Sequence, residues 1–175
     1  MQNLIARSNN DDLPIIAPSG FLYEATSENI LAGPAMARRA SYMMGFELDT
    51  SVFGHVDSGL GKRVISGSTS IAKPTIEINK SEEPLIIDGV SFIFFNMPDS
   101  EAPAEMTFYL PEKLAFCGAE VISRTMHNIL TLRGAKVRDA YRWSEYIGSI
   151  IARLPEVETL LISHHWPTWG YGSVI

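Results

Sequence analysis

Apolar and polar positions change period several times along this 175-residue chain, and each change marks an element. Residues 1–12 are polar and predict loose order. Leu13-Pro14-Ile15-Ile16-Ala17-Pro18 then reads as a short buried strand bounded by prolines. Thr26 or Ser27 is placed to cap a helix with Glu28 in its first turn. Pro34 is awkward inside that helix but suits the first turn of a new one. The main helix is therefore expected from about Pro34 to Met44, ending at Gly45. Residues 46–72, rich in Gly and Ser, predict the least regular part of the chain. From Pro74 the period becomes two. Thr75–Ile78 alternates, and Leu85–Ile87 and Val90–Phe95 flank Asp88-Gly89, a strong hairpin signal. Met106–Leu110 and Leu114–Cys117 flank Pro111-Glu112-Lys113 as a second hairpin. A helical period follows from Lys136 to Arg153, with Val137, Ala140, Tyr141, Ser144, Ile147, Ile151 and Leu154 on one face and Pro155 as the stop. Val157–Ile162 is an apolar strand leading into His164-His165. Hairpins, a helix and a further strand predict an α/β layered arrangement with the late helix on one face of the sheet.

Composition narrows the class. Apolar residues make up 46% and charged residues 19% of the chain, which suits one folded domain over residues 1–175. The net charge of −6, without a run of Lys or Arg, argues against a nucleic-acid or anionic-membrane surface. Cys117 is the single cysteine, so no internal disulfide forms. No apolar run approaches the roughly 18 residues of a membrane span, and residues 1–12 lack a secretory layout. The expectation is a soluble, intracellular protein.

Candidate chemistry lies between Asp99 and His165. Glu101 precedes one strand-like segment, Glu120 follows the next, and His164-His165 follow a third. Taken singly, such a Glu is ordinarily a solvated charge and such a His pair structural. Together they occupy strand-to-loop junctions, where a metal-centred hydrolase places its ligands. Phe108, Phe116, Trp166 and Trp169 are expected to surround them, and a carboxylate in apolar surroundings needs a compensating cation. The Gly59-Leu60-Gly61-Lys62 stretch fails the phosphate-loop pattern, since Arg63 follows the Lys. It reads as a surface connection or as a substrate-contacting loop. Asn79-Lys80-Ser81 matches a glycosylation acceptor, a match discounted without a secretory signal.

Several ordered motifs carry a resemblance. A-P-A-E-M-T-F-Y (102–109), M-H-N-I-L-T-L-R-G-A-K-V-R-D (126–139) and S-H-H-W-P-T-W-G (163–170) are similar to the alkyl sulfatase branch of the metallo-β-lactamase superfamily. I-I-A-P-S-G-F, S-E-N-I-L-A-G-P-A-M-A-R-R-A-S-Y-M-M-G and S-G-L-G-K agree, so the resemblance runs from about Ile15 onward. It implies part of a metallo-β-lactamase-type αββα sandwich, namely one sheet-plus-helix portion. It also implies a two-zinc hydrolase that cleaves linear alkyl sulfates, such as dodecyl sulfate, to alcohol and sulfate. Carried over by motif, Glu101 binds one zinc, Glu120 bridges both, and His165, preferred over His164, binds the other. Asn128 and Arg133 match positions that hold the sulfate head, with Tyr42 as a further candidate facing the sulfate. Without the resemblance, Arg133 reads equally well as a surface charge. His127 is the nearest candidate for the proton donor to the leaving alcohol, and reads equally as structural.

The chain departs from the family pattern in its histidines. His55, His127, His164 and His165 are its four, and none forms the H-x-H-x-D-H motif that supplies most zinc ligands in the family. The family also continues past the equivalent of Ile175 into a helical dimerisation region and a lipid-carrier-like domain. The chain thus reads as an internal slice, expected to be weak or inactive by itself. A homodimer in the full-length family and a complementing N-terminal half are the implied partners. Two other readings compete. One is a non-catalytic module binding amphiphilic anions through Arg133, Arg38 or Arg39 and the Gly-rich loop. The other is a different ester hydrolase of the superfamily.

Overall fold

The computed structural model describes residues 13–54, 70–80, 83–125 and 128–170. Among these, strands fall into a two-stranded parallel pair and a six-stranded mixed sheet. The pair joins β1 (Ile16–Pro18) to β2 (Ile76–Ile78), with Ile16 opposite Ile76. The large sheet runs in chain order: β3 (Pro84–Ile87), β4 (Val90–Asn96), β5 (Met106–Leu110), β6 (Ala115–Ala119), β7 (Thr159–Ile162) and β8 (Thr168–Trp169). Neighbours pair antiparallel except β6 and β7, which are parallel. A parallel pair needs a long crossover, and here helix α3 (Ala140–Arg153) forms part of it. This is the α/β class expected from the sequence.

Local chemistry accounts for the elements. Asp88 (φ 50°) and Gly89 (φ 77°) are both left-handed, the conformation a two-residue hairpin turn requires between β3 and β4. The second hairpin closes through a 3-10 turn, Pro111–Lys113, with Leu114 at φ 46°. Helix α2 (Gly33–Met44) begins with Pro34 in its first turn and ends at Gly45, whose φ of 68° lets the chain reverse. Asp139 caps α3, its side chain accepting from the Arg142 N–H at 2.9 Å.

The structure corrects several expectations. Neither Thr26 nor Ser27 starts a new helix with a side-chain cap, because α1 (Phe21–Thr26) starts at left-handed Gly20 and continues into a π-helical turn, Ser27–Leu31. Lys136–Arg138 are not helical, since the cap is Asp139. The buried stripe of α3 is also rotated from the expected face. Trp143 and Ile150 are buried and Tyr146, Ile147 and Leu154 pack beside them, whereas Tyr141 is 73% and Val137 69% exposed. Trp143 decides the rotation: the largest apolar side chain on the helix sits at 0% exposure, with its indole N–H donating to the Val121 carbonyl at 2.7 Å. This stripe meets Phe95, Tyr109, Phe116 and Leu160 of the sheet, which together form the core. The opposite sheet face carries Phe92, Phe94 and Phe108, with ring centroids 5.4–5.9 Å apart.

Candidate metal centre

Strand direction brings the predicted carboxylates to one edge. The end of β6 lies beside the end of its parallel neighbour β7 and beside the start of its antiparallel neighbour β5. The loop before β5 (Met97–Glu105), Glu120 after β6 and His164 after β7 therefore share that edge. The β6 register shifts between Cys117 and Ala119, and Ala119 takes φ 46°. Such a bulge re-aims the residues that follow it. Gly118 makes it possible, because a Cβ there would sit 2.8 Å from the Cβ of Ile122.

Three carboxyls converge at the edge. Glu101 is 3% exposed, hydrogen-bonds to the side chain of Glu120, and accepts from the Asn128 amide at 2.5 Å. Burial, followed by the charge of Glu120, raises its pKa despite the Asn128 bond. Glu105 hydrogen-bonds to Glu101 and is pushed up to about 7, chiefly by burial, with the charges of Glu101 and Glu120 adding. Carboxyls this close share protons or need a cation. Glu120 hydrogen-bonds to His164 Nε2. Their cleft, about 560 Å³, has an apolar wall that includes Ile15, Pro18, Phe21, Ile71 and Phe108.

The other sequence candidates are scattered. Among the described residues, the Nε2 of His165 is buried without a hydrogen-bond partner, while its neighbour His164 (φ 68°) makes the contact with Glu120. Arg133 lines a different cleft, against Met36, Ala37 and Ala40 of α2, and its Nε is buried without a partner among the described residues. Its carbonyl accepts from Arg39 at 3.3 Å. Tyr42 is 87% exposed on α2. His127 and residues 59–62 lie outside the described residues. The expected aromatic surround is corrected: Phe108 lines the cleft, but Phe116 lies in the α3 core and Trp166 and Trp169 are 86% and 64% exposed. The Glu101 main chain is instead held by Arg138, whose Nε donates to the Glu101 carbonyl at 2.5 Å.

Glu105 and Arg138 were not among the sequence candidates. Glu105 had the same signal as Glu101, a carboxylate just before β5. Arg138 had none, because its partner Glu28 is 110 residues away in the chain. Among the described residues, no three His, Cys, Asp or Glu side chains form a ready metal cage. The donors suit a cation in kind, as adjacent carboxylates with imidazoles beside them, but do not by themselves make up a ligand set.

Comparison with known proteins agrees with the motifs. The chain is 44% identical over 160 residues to the alkyl/aryl-sulfatase BDS1 of Saccharomyces cerevisiae. It is 43% identical over 161 residues to a linear primary-alkylsulfatase of Pseudomonas sp.. These matches cover 91% of this chain but 25% and 24% of the relatives, so it spans about a quarter of their length. No family model matches the chain. The solved stereoselective inverting sec-alkylsulfatase Pisa1 from Pseudomonas sp. superposes with a TM-score of 0.86 at 40% identity, covering 92% of this chain and 26% of that one. By sequence and by fold, the chain belongs with the alkylsulfatases, as a segment corresponding to about a quarter of such a protein.

Proposed function

We propose that this segment carries one side of a metal-dependent site that hydrolyses alkyl sulfate esters. The observation that carries the reading is the convergence of Glu101 and Glu120 with the His164-His165 turn at one sheet edge. Glu101 would bind one zinc ion, Glu120 would bridge two, and a histidine of the turn would bind the second. His165 has the free buried nitrogen for that role, and His164 has the contact with Glu120. Zinc held by these residues would supply a water-derived nucleophile and would neutralise developing negative charge. In the reading, this half of the sheet packs as one layer pair of an αββα sandwich.

The chain's own residues have separate tasks. Asn128 holds the Glu101 carboxyl through its amide. Arg133 offers an unpartnered buried donor, and a guanidinium fork suits a sulfate oxyanion. Arg133, rather than Tyr42 at 87% exposure, would hold the sulfate. The apolar wall around Phe21 and Phe108 suits a linear alkyl tail, as in dodecyl sulfate. His127 is assigned proton donation to the leaving alcohol. Two carboxylates and one imidazole fall short of a ligand set for two zinc ions. The polypeptide by itself is therefore expected to turn over dodecyl sulfate weakly or not at all. Activity is expected on mixing with a separately made N-terminal half of an alkylsulfatase, and the assembled enzyme is assigned as a homodimer.

Zinc content by elemental analysis after dialysis tests the site. Near-stoichiometric zinc in the wild type and none in Glu120→Ala is the expected pair of results. No zinc in either protein would remove the metal from the proposal. A second reading follows from the free Nε of Arg133: binding of amphiphilic anions without turnover. Calorimetry with a short alkyl sulfate separates the two, since this reading requires binding without metal that is lost in Arg133→Ala.

A further inference from the structure

We infer that Arg138 is a positioning residue: it fixes the main chain of Glu101, and thereby the aim of that carboxyl, while Glu28 neutralises its buried charge. The inference rests on the proposed role of Glu101 as a metal ligand. Arg138 is 6% exposed and ties three separate segments. Its Nε donates to the Glu101 carbonyl at 2.5 Å. One terminal nitrogen donates to Glu28 Oε1 at 2.9 Å and to the Lys136 carbonyl at 2.8 Å, and the other to Glu28 Oε2 at 3.4 Å. The rigid fork of a guanidinium can serve these acceptors together, whereas a lysine ammonium is a single point.

The rest of the Glu101 loop is already braced. Met97 N–H donates to the Glu105 carbonyl at 2.8 Å, the Ser100 hydroxyl to the Met97 carbonyl at 2.7 Å, and the Tyr146 hydroxyl to the Pro98 carbonyl at 3.1 Å. Asp139 N–H, next to Arg138, donates to the Asp99 carbonyl at 3.2 Å. Arg138 holds the peptide that directly bears the Glu101 side chain. A shift of that carbonyl swings the carboxyl away from Glu120 and Asn128 without disturbing the core under α3. Outer partners of this kind typically govern how well a ligand is aimed.

The test uses Arg138→Lys, which keeps the charge opposite Glu28 and so the fold, but loses the fork. Hydrogen exchange is measured at the amides of residues 99–105 and of β4 and β5. The expected result is exchange faster by on the order of tenfold in the loop, with the strands unchanged. Unchanged loop exchange, or equal acceleration in the strands, overturns the positioning role. Zinc affinity by competition titration then tests the route through Glu101. Arg138→Lys is expected to weaken it by about 10- to 100-fold in the wild-type background and to have no effect in Glu101→Gln. An equal loss in both backgrounds overturns the route. A wild type that takes up no zinc refutes the metal reading instead, and loop exchange alone then decides whether Arg138 positions Glu101.

Discussion

Buried Arg138 pairs with the partly buried Glu28, their side chains 3% and 16% exposed, and the consequence is a pH dependence of stability. Burial disfavours ionised Glu28, but the hydrogen bonds and charge of Arg138 outweigh it, so the pKa lies below its ordinary value of 4.5. A carboxyl with a depressed folded pKa contributes stability that is present above its unfolded pKa and is lost as pH falls through the folded one. Melting temperatures followed from pH 6 down to about pH 3 are expected to fall less steeply for Glu28→Gln than for the wild type. Equal slopes would show that the pair is already absent in solution. At neutral pH, Arg138→Met removes the guanidinium partner of a partly buried Glu28 and is expected to lower stability in denaturant unfolding, with Glu28→Gln costing less in that background than in the wild type.

The β6 bulge and helix α3 set the site in different ways. Gly118→Ala would press a methyl group against Ile122, and relieving that contact must move either the bulge or the turn after Val121. The expected cost is about 1–3 kcal/mol, and it is expected to be non-additive with Ile122→Gly, which removes the Cβ that the new methyl group would meet. Additive costs in a double-mutant cycle would count against a single clash. Helix α3 matters through packing. Trp143→Ala removes the fully buried indole and its bond to Val121, and is expected to cost about 3–5 kcal/mol in chemical denaturation. The same change at Tyr141, 73% exposed on the face that periodicity favoured, is expected to stay within about 0.5 kcal/mol.

Exposed apolar side chains are abundant for a chain of this size. Leu31 is 79%, Phe53 98%, Leu132 80% and Trp166 86% exposed. Since this segment spans about a quarter of its relatives, such residues are candidates for contact with further polypeptide. The expected outcome for the chain by itself is concentration-dependent association in sedimentation velocity, reduced by charged substitutions at Leu31 and Phe53. A monomer at all concentrations would mean that these residues are ordinary exposed surface. The edge that gathers Glu101, Glu105 and Glu120 has a related character, with three carboxyls in a cleft whose wall is largely apolar. A cation there would compensate a charge that the described residues leave crowded.

Periods, caps and turns were legible in the sequence because they depend on neighbours a few residues apart. Asp88-Gly89 closes its hairpin, Gly45 ends α2, and the strands from Pro84 to Ile162 lie close to where alternation puts them. The placing of Glu120 and the histidines just past strand ends was equally readable, whereas Glu101 sits in mid-loop between Asn96 and Met106. Their common edge follows only when the strand directions are known. Tertiary structure decided what depends on distant partners. The face of α3 was chosen by where Trp143 could bury its ring and satisfy its N–H, against a local pattern that favoured Val137, Tyr141 and Ile151. The clamp from Glu28 through Arg138 to Glu101 joins residues separated by 110 and 37 positions, and no local rule could have paired them. Short-range physics set the elements and turns, and long-range packing brought Glu101, Glu105 and Glu120 together.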